Sequence, residues 1–265
     1  MNHNAIATLE NRHVLITGAS QGIGLEVARL ALAAGARVTL LARDGQRLQQ
    51  AAQTFSADAQ RVYTVQADVT DENAIARGFA AAREHAGSIN VLVNNAGQAR
   101  SERFDRMDAQ FWNQMMQVNL TGTYLCINAA LPDMLEQGWG RIVNVASVAG
   151  LKGYGYVTAY CAAKHGVVGL TRALALELAG KNITVNAVCP GYTETPLLVG
   201  AVANMVEKTG MTPDKAKAAL ASNNPQGRLV QPQEVAHAVL WLCLPQSSSI
   251  NGQAVPVDGG EKMAG

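Results

Sequence analysis

Charge is scarce in this chain. Only 15% of its 265 residues are charged, and 21 Lys and Arg nearly balance 20 Asp and Glu, leaving a formal net charge of +1. A polyanion such as DNA needs a basic field, and none is present, so nucleic acid is not an expected partner. Cysteine is sparse as well. Cys126, Cys161, Cys189 and Cys243 form no CxxC pair and sit in apolar runs, which reads as reduced core thiols in a reducing compartment. The five histidines (His3, His13, His85, His165 and His237) show no HExxH spacing, so no metal is expected. No run approaches the roughly 18 uncharged apolar residues of a membrane span. The stretch from Met1 to His13 lacks the basic-then-apolar order of a signal peptide. The expectation is a cytoplasmic protein, in which the sequons at Asn119 and Asn182 carry no glycan.

What is present is a large apolar fraction, 48%, enough for a sizeable core. Short β-branched runs alternate with longer helical patterns. Strands are predicted at His13 to Thr17, Arg37 to Leu41, Arg61 to Gln66, Ile89 to Val93, Arg141 to Val145, Ile183 to Val188 and, weakly because of Pro256, Gln253 to Val257. Helices are predicted at Gly22 to Ala34, Gln46 to Ala57, Glu72 to His85, Ala109 to Glu136 (kinked or ended by Pro132), Val157 to Leu178 and Glu234 to Leu242. Such alternation implies an α/β fold: a doubly wound, Rossmann-type parallel sheet with helices on both faces. No linker divides the chain, so one domain is expected. Residues 191–227 interrupt the alternation, with short helices near Leu197 to Lys208 and Pro213 to Ala221; an excursion that long reads as a substrate lid or binding segment.

Two local patterns carry chemistry. Thr17-Gly18-Ala19-Ser20-Gln21-Gly22-Ile23-Gly24 links the first strand to the first helix. Glycines there let backbone N–H groups reach a pyrophosphate at the helix N-terminus, which makes Gly18, Ser20, Gln21, Gly22, Ile23 and Gly24 candidate dinucleotide contacts. At the end of the second strand an acidic residue would bind the ribose 2′-hydroxyl of NAD, whereas arginine suits the 2′-phosphate of NADP. Here Arg43 stands there and Asp44 reads as the N-cap of the next helix, so NADP(H) is expected over NAD(H). The second pattern is Tyr160-x-x-x-Lys164, whose spacing puts both side chains on one helical face. Tyrosine titrates near 10; an ammonium about 4 Å away supplies roughly 4 kcal/mol at an effective dielectric of 20, enough to bring the phenol near neutrality.

Taken together, TGASQGIG at 17–24, Asn94-Asn95-Ala96-Gly97, Asn119, Ser147, Tyr160-x-x-x-Lys164 and Pro190-Gly191-Tyr192-Thr193 resemble the short-chain dehydrogenase/reductase family, over about His13 to Gly260. The resemblance implies an enzyme that moves a hydride between a bound nicotinamide and a carbonyl or secondary alcohol. In that reading Tyr160 is the acid/base and Ser147 hydrogen-bonds the substrate oxygen. Lys164 lowers the Tyr160 pKa and binds the nicotinamide ribose, while Asn119 holds a relay water. Asp68 and Val69 would contact adenine, and Asn95, Ala96 and Gly97 would line its ribose side. Pro190, Gly191, Val188, Thr193 and Thr195 would flank the nicotinamide. The family also pairs its long helices into dimers and tetramers, here through Ala129, Leu131, Ala173, Leu174 and Leu176.

Substrate identity is less legible. Leu197, Leu198, Val199, Val202, Met205, Val206 and Met211 either line an apolar pocket or pack the 191–227 segment down, and Tyr154 and Tyr156 are candidates to border the site. The stretch from Ala146 to Pro196 is similar to 3-oxoacyl thioester reductases and polyketide ketoreductases. Arg100, Arg103 and Arg106, or Lys208, Lys215 and Lys217, would then meet coenzyme A phosphates or an acidic carrier protein; alternatively they form a solvated face. Three readings stay open: a 3-oxoacyl thioester reductase or 3-hydroxyacyl dehydrogenase, the same chemistry on a free ketone or alcohol, and a non-catalytic dinucleotide sensor or scaffold.

Overall fold

The computed structural model describes residues 8–263; His3 and the rest of the first seven residues lie outside the described residues. Strands β1 (His13–Thr17), β2 (Arg37–Ala42), β3 (Val62–Gln66), β4 (Val91–Asn94), β5 (Gly140–Val145), β6 (Ile183–Pro190) and β7 (Ala254–Val257) form one sheet in the order β3-β2-β1-β4-β5-β6-β7. Every neighbouring pair is parallel. β1, β4, β5 and β6 are buried at every position, because helices cover both faces of a parallel sheet.

The pleat sorts each strand between two cores. Val14, Ile16, Val38, Leu40, Val91, Val93 and Val143 pack with helices α1 (Gly22–Ala33) and α9 (Pro232–Cys243). Leu15, Leu41, Leu92, Ile142 and Val185 face α3 (Glu72–Ala86), α5 (Gly122–Gln137) and α6 (Thr158–Leu178) on the other side. A half-buried ion pair ties this second layer. Arg83 Nε donates to both Asp133 oxygens at 2.7 and 2.9 Å, and Asp133 also accepts the Ile89 N–H at 2.8 Å. Removing Arg83 strands the buried Asp133 carboxylate without its cation, which is destabilising.

Three elements differ from the sequence expectation. Helix α2 (Gly45–Gln53) starts at Asp44, whose side chain accepts the Arg47 N–H, and yields to a 3-10 turn at Ser56–Arg61 instead of running to Ala57. The predicted helix over 109–136 is α4 (Ala109–Met116) and α5 joined by a π turn at Gln117–Thr121, with Pro132 accommodated inside α5. The interruption therefore falls at Asn119 and not at the proline, and extra-residue π turns of this kind recur at functional sites. β7 does pair fully with β6; Pro256 is tolerated because β7 is an edge strand.

Helices α7 (Pro196–Thr209) and α8 (Pro213–Ala221) fill the 191–227 excursion, which a Thr193–Val230 bridge closes at its base. Among the described residues, no helix is long and apolar enough to cross a membrane.

Candidate active site

The chain steps from β1 to β2 and β3 on one side, then crosses back to β4 on the other, so β1 and β4 diverge at a switch point where open α/β sheets bind ligands. The carboxyl ends of β1, β4, β5 and β6 all deliver predicted site residues to this edge.

The glycine turn after β1 is built to have no side chains on its inner surface. Gly18 has φ +64, and a Cβ there would lie 2.9 Å from Ala96 Cα; one at Gly24 would lie 2.6 Å from the Gly18 carbonyl oxygen. Both are closer than real contacts allow, so only glycine serves. Helix α1 opens with no side-chain cap and no acidic residue in its first turn. Its free N–H groups and positive dipole end suit a pyrophosphate. Thr17 and Asn95 staple this turn to the loop after β4. Thr17 Oγ1 accepts from the N–H groups of Asn95 and Ala96, both at 3.0 Å, while Asn95 Nδ2 donates to the Thr17 and Gly18 carbonyls at 3.1 and 3.0 Å. Asn95 is thus spent on the scaffold. Ile23 packs against the first core, and Ser20 is half-buried whereas Gln21 is exposed.

Arg43 follows β2 with its side chain 78% exposed and its Nη1 3.7 Å from Asp68 Oδ2. Asp68 is held in turn by Thr70, whose N–H and Oγ1 donate to Asp68 Oδ1 at 2.9 and 2.8 Å. Val69 is buried against Gly122 of α5. The guanidinium, mostly exposed and paired on one side, can also engage an anion.

Ser147 follows β5 in extended backbone and accepts the Ala149 N–H at 3.1 Å. Tyr160 and Lys164 sit in the first turns of α6. Burial pushes the Tyr160 phenol up to about 12, a hydrogen bond with Ser147 opposing the shift, and burial pushes Lys164 down to about 8. Burial thus acts in the sense opposite to the lowering that an ammonium beside the phenol would produce. Lys164 Nζ donates instead to the Val145 carbonyl at 2.9 Å and lies 5.7 Å from the Tyr160 ring centroid. Desolvation is the largest cause of both shifts.

Asn119 is fully buried in the π turn. Its Nδ2 donates to the Gln98 and Met115 carbonyls at 2.9 and 3.0 Å, and its Oδ1 accepts the Gln98 N–H at 3.1 Å. Gly97 passes between it and the lysine: a Cβ there would lie 2.8 Å from Asn119 Oδ1 and 3.7 Å from Lys164 Nζ. Ser147, Tyr160, Lys164, Asn119 and the Asn95–Gly97 loop are thereby gathered at one edge.

After β6, Pro190 is the last strand residue and Gly191 begins the excursion. Thr193 is buried, its Oγ1 donating to the Gly191 carbonyl at 3.0 Å, and Thr195 lies against Gly22 of the glycine turn. Val188 does not face the cleft: it is fully buried inside β6, paired with Val145 and Val255. Sequence reasoning gave no role to Tyr192, which lies close enough to Tyr160 to help raise its pKa, nor to Thr17, Lys152 or Glu261. Glu261 had no local signal, since its partners lie more than a hundred residues upstream.

The apolar residues of the excursion divide between packing and solvent. Leu198 joins Leu220 and Leu229 in a small core with Val202 and Met205 packed on it, while Leu197, Val199 and Met211 are exposed. Several of the basic residues are engaged locally: Arg103 with Asp105, Lys217 with Glu194, and Arg100 with Gln114 and the Phe111 ring. Lys208 and Asn204 of α7 bond to Ser101, resting the excursion on the loop after β4.

The short chain dehydrogenase family profile matches residues 12–205. A putative ketoacyl reductase of Streptomyces coelicolor is 38% identical over 257 residues, spanning 96% of this chain and 98% of that one. A 3-oxoacyl-acyl-carrier-protein reductase of Aquifex aeolicus is 35% identical over 253 residues, spanning 95% and 98%. Among solved structures, an actinorhodin polyketide ketoreductase crystallised with NADPH superposes with a TM-score of 0.92 at 38% identity, covering 97% of this chain and 99% of the other. The chain belongs to the short chain dehydrogenase family and is an oxidoreductase acting on a carbonyl or alcohol.

Proposed function

We propose that this chain is an NADP(H)-dependent reductase of 3-oxoacyl thioesters, or equivalently a 3-hydroxyacyl dehydrogenase. The observation that carries the reading is the convergence of Ser147, Tyr160 and Lys164 with the Gly18–Gly24 turn at one sheet edge. Bound there, the nicotinamide supplies or accepts the hydride. The chain's residues do the rest. The glycine turn and the α1 N-terminus hold the pyrophosphate, and Arg43, with Asp68 beside it, grips the 2′-phosphate. Gly191, Thr193 and Thr195 close the nicotinamide end.

In this reading Tyr160, protonated at neutral pH because burial raises its pKa to about 12, gives its proton to the substrate oxygen. Ser147 donates to the same oxygen as negative charge develops there. Lys164 stays near Val145, binds the ribose and returns a proton to Tyr160, and a water between Lys164 and Asn119 links the pair to solvent.

The thioester assignment draws on the names of the two bacterial relatives, one of which acts on an acyl carrier protein substrate. Arg100, Arg106 and Lys208, exposed around the excursion that acts as the lid, suit the phosphates of coenzyme A or a carrier protein. The second reading, a free ketone, is favoured by the tyrosines at the cleft, Tyr154 and Tyr192, which stack edge to face at 6.3 Å. We also assign a homo-oligomer, dimer or tetramer, formed through α5 and α6, where Leu176 is 82% exposed and Tyr124 51%. The four unpaired buried thiols suit the cytoplasm.

The test is to give the protein acetoacetyl-CoA and a simple aryl ketone in parallel, with NADPH and with NADH, and to follow nicotinamide absorbance. NADPH-dependent reduction of the thioester ahead of the aryl ketone is expected. Preference for the aryl ketone selects the second reading, and no turnover with any ketone selects a sensor or scaffold.

A further inference from the structure

The loop between Ser147 and Tyr160 carries a second cluster that the reaction does not use. Glu261, in the turn after β7, reaches back more than a hundred residues to it. Its Oε1 accepts a short hydrogen bond from the Tyr154 hydroxyl and lies 3.0 Å from Lys152 Nζ. The Lys152 ammonium also sits 4.9 Å from the centroid of the Tyr154 ring.

The turn that presents Glu261 is firmly built. Asp258 accepts the Gly260 N–H at 3.0 Å and the Lys262 N–H at 2.8 Å through its two oxygens. A Cβ on Gly191 would lie 3.3 Å from Glu261 Oε2, so the carboxylate abuts the strand end that opens the substrate side. From there Tyr154 packs edge-on to Tyr192, the residue that follows Gly191, with ring centroids 6.3 Å apart, and Tyr192 is near enough to Tyr160 to influence its charge.

Exposure is unequal within the ion pair. The Glu261 side chain is 3% exposed and that of Lys152 33%. A carboxylate so buried requires partners, and it has two. The ammonium, in contrast, is partly open to solvent beside the Tyr154 ring, where alone it would present a positive charge.

We infer that Glu261 is a specificity-determining residue: it neutralises Lys152 and ties down the Tyr154 hydroxyl, so the cleft rim favours neutral carbonyl substrates over those bearing a carboxylate. The inference rests on the proposed carbonyl reduction and adds the charge class of the substrate.

The experiment compares ethyl acetoacetate with acetoacetate, each with NADPH, in the native protein and in Glu261→Gln, Lys152→Met and the double variant. Glu261→Gln is expected to raise kcat/KM for acetoacetate by about 3- to 10-fold, through KM, with the ester changed less than about twofold, as unmasking one partly exposed charge implies. The gain is expected to shrink in high salt and to vanish in the double variant. Lys152→Met is expected to shift preference the other way, which keeps the test decisive if Glu261→Gln folds poorly. Equal changes for both substrates, or a gain that survives in the double variant, overturns the inference. Should the native protein reduce neither compound, the proposed function is judged separately by its turnover of acetoacetyl-CoA. Calorimetric titration of the same two compounds then decides the inference: tighter acetoacetate binding by Glu261→Gln supports it and equal binding overturns it.

Discussion

Lys164 gives its ammonium to the main-chain carbonyl of Val145, 2.9 Å away, at the end of the strand that leads into Ser147. This bond fixes the lysine against the sheet and keeps it 5.7 Å from the centre of the Tyr160 ring. Burial raises the Tyr160 pKa to about 12, so the hydroxyl keeps its proton across the neutral range and the phenolate that alcohol oxidation uses forms only toward high pH.

Opposite pH profiles follow for the two directions. Tyr160 stays protonated throughout the neutral range, whereas Lys164, with its pKa lowered to about 8, loses its charge above that pH. Carbonyl reduction is expected to hold steady up to about pH 8 and fall beyond it as the ammonium is lost. Alcohol oxidation, which needs the phenolate, is expected to keep rising past that point. Initial rates in both directions from pH 6 to 10 check this; parallel profiles would contradict it.

Arg43 is expected to read the 2′-phosphate. Losing a charge-assisted, bidentate contact costs about 1.5–3 kcal/mol, so Arg43→Gln should weaken NADPH binding by roughly 10- to 100-fold, at 1.4 kcal/mol per tenfold, while NADH binding changes little. Fluorescence titration with both nucleotides measures it, and equal losses would remove Arg43 from that role.

His13 makes the fold acid-sensitive. The fully buried ring bonds through Nδ1 to the Gly87 carbonyl and through Nε2 to Thr39 Oγ1, both at 2.8 Å. Burial lowers its pKa from 6.5 to about 4. Between those values the unfolded chain binds more protons at this site, so the stability it contributes is full above 6.5 and is lost as pH falls toward 4. The total is about 3 kcal/mol. Urea unfolding across this range should show that slope in the native protein and a shallower one in His13→Gln.

Much of this was legible in the sequence because the relevant physics is local. The mainly apolar runs at His13–Thr17 and Ile183 to Val188 belong to parallel strands buried along their whole length, and Asp44 marks the start of α2 as its N-cap. Gly18 and Gly24 stand where no Cβ fits. What was not legible depends on three-dimensional placement. The Tyr160–Lys164 spacing puts two side chains on one face but says nothing of the Val145 carbonyl that claims the lysine or of the burial that raises the phenol. Pro132 looked like the natural break in the long helix, yet the π turn at Asn119 takes that part. Val188 looked available at a strand end, yet both neighbouring strands enclose it. Glu261 meets Lys152 and Tyr154 only because β7 joins the sheet beside β6.

In the proposed reaction the Tyr160 hydroxyl hands a proton to the substrate beside a dinucleotide held by the glycine turn. Tyr160→Phe, assayed for acetoacetyl-CoA reduction alongside fluorescence titration of NADPH, tests it directly. Loss of general acid catalysis predicts a fall in kcat of roughly 10²–10⁴-fold with NADPH still bound at near-native affinity. A variant that keeps native turnover would contradict the claim.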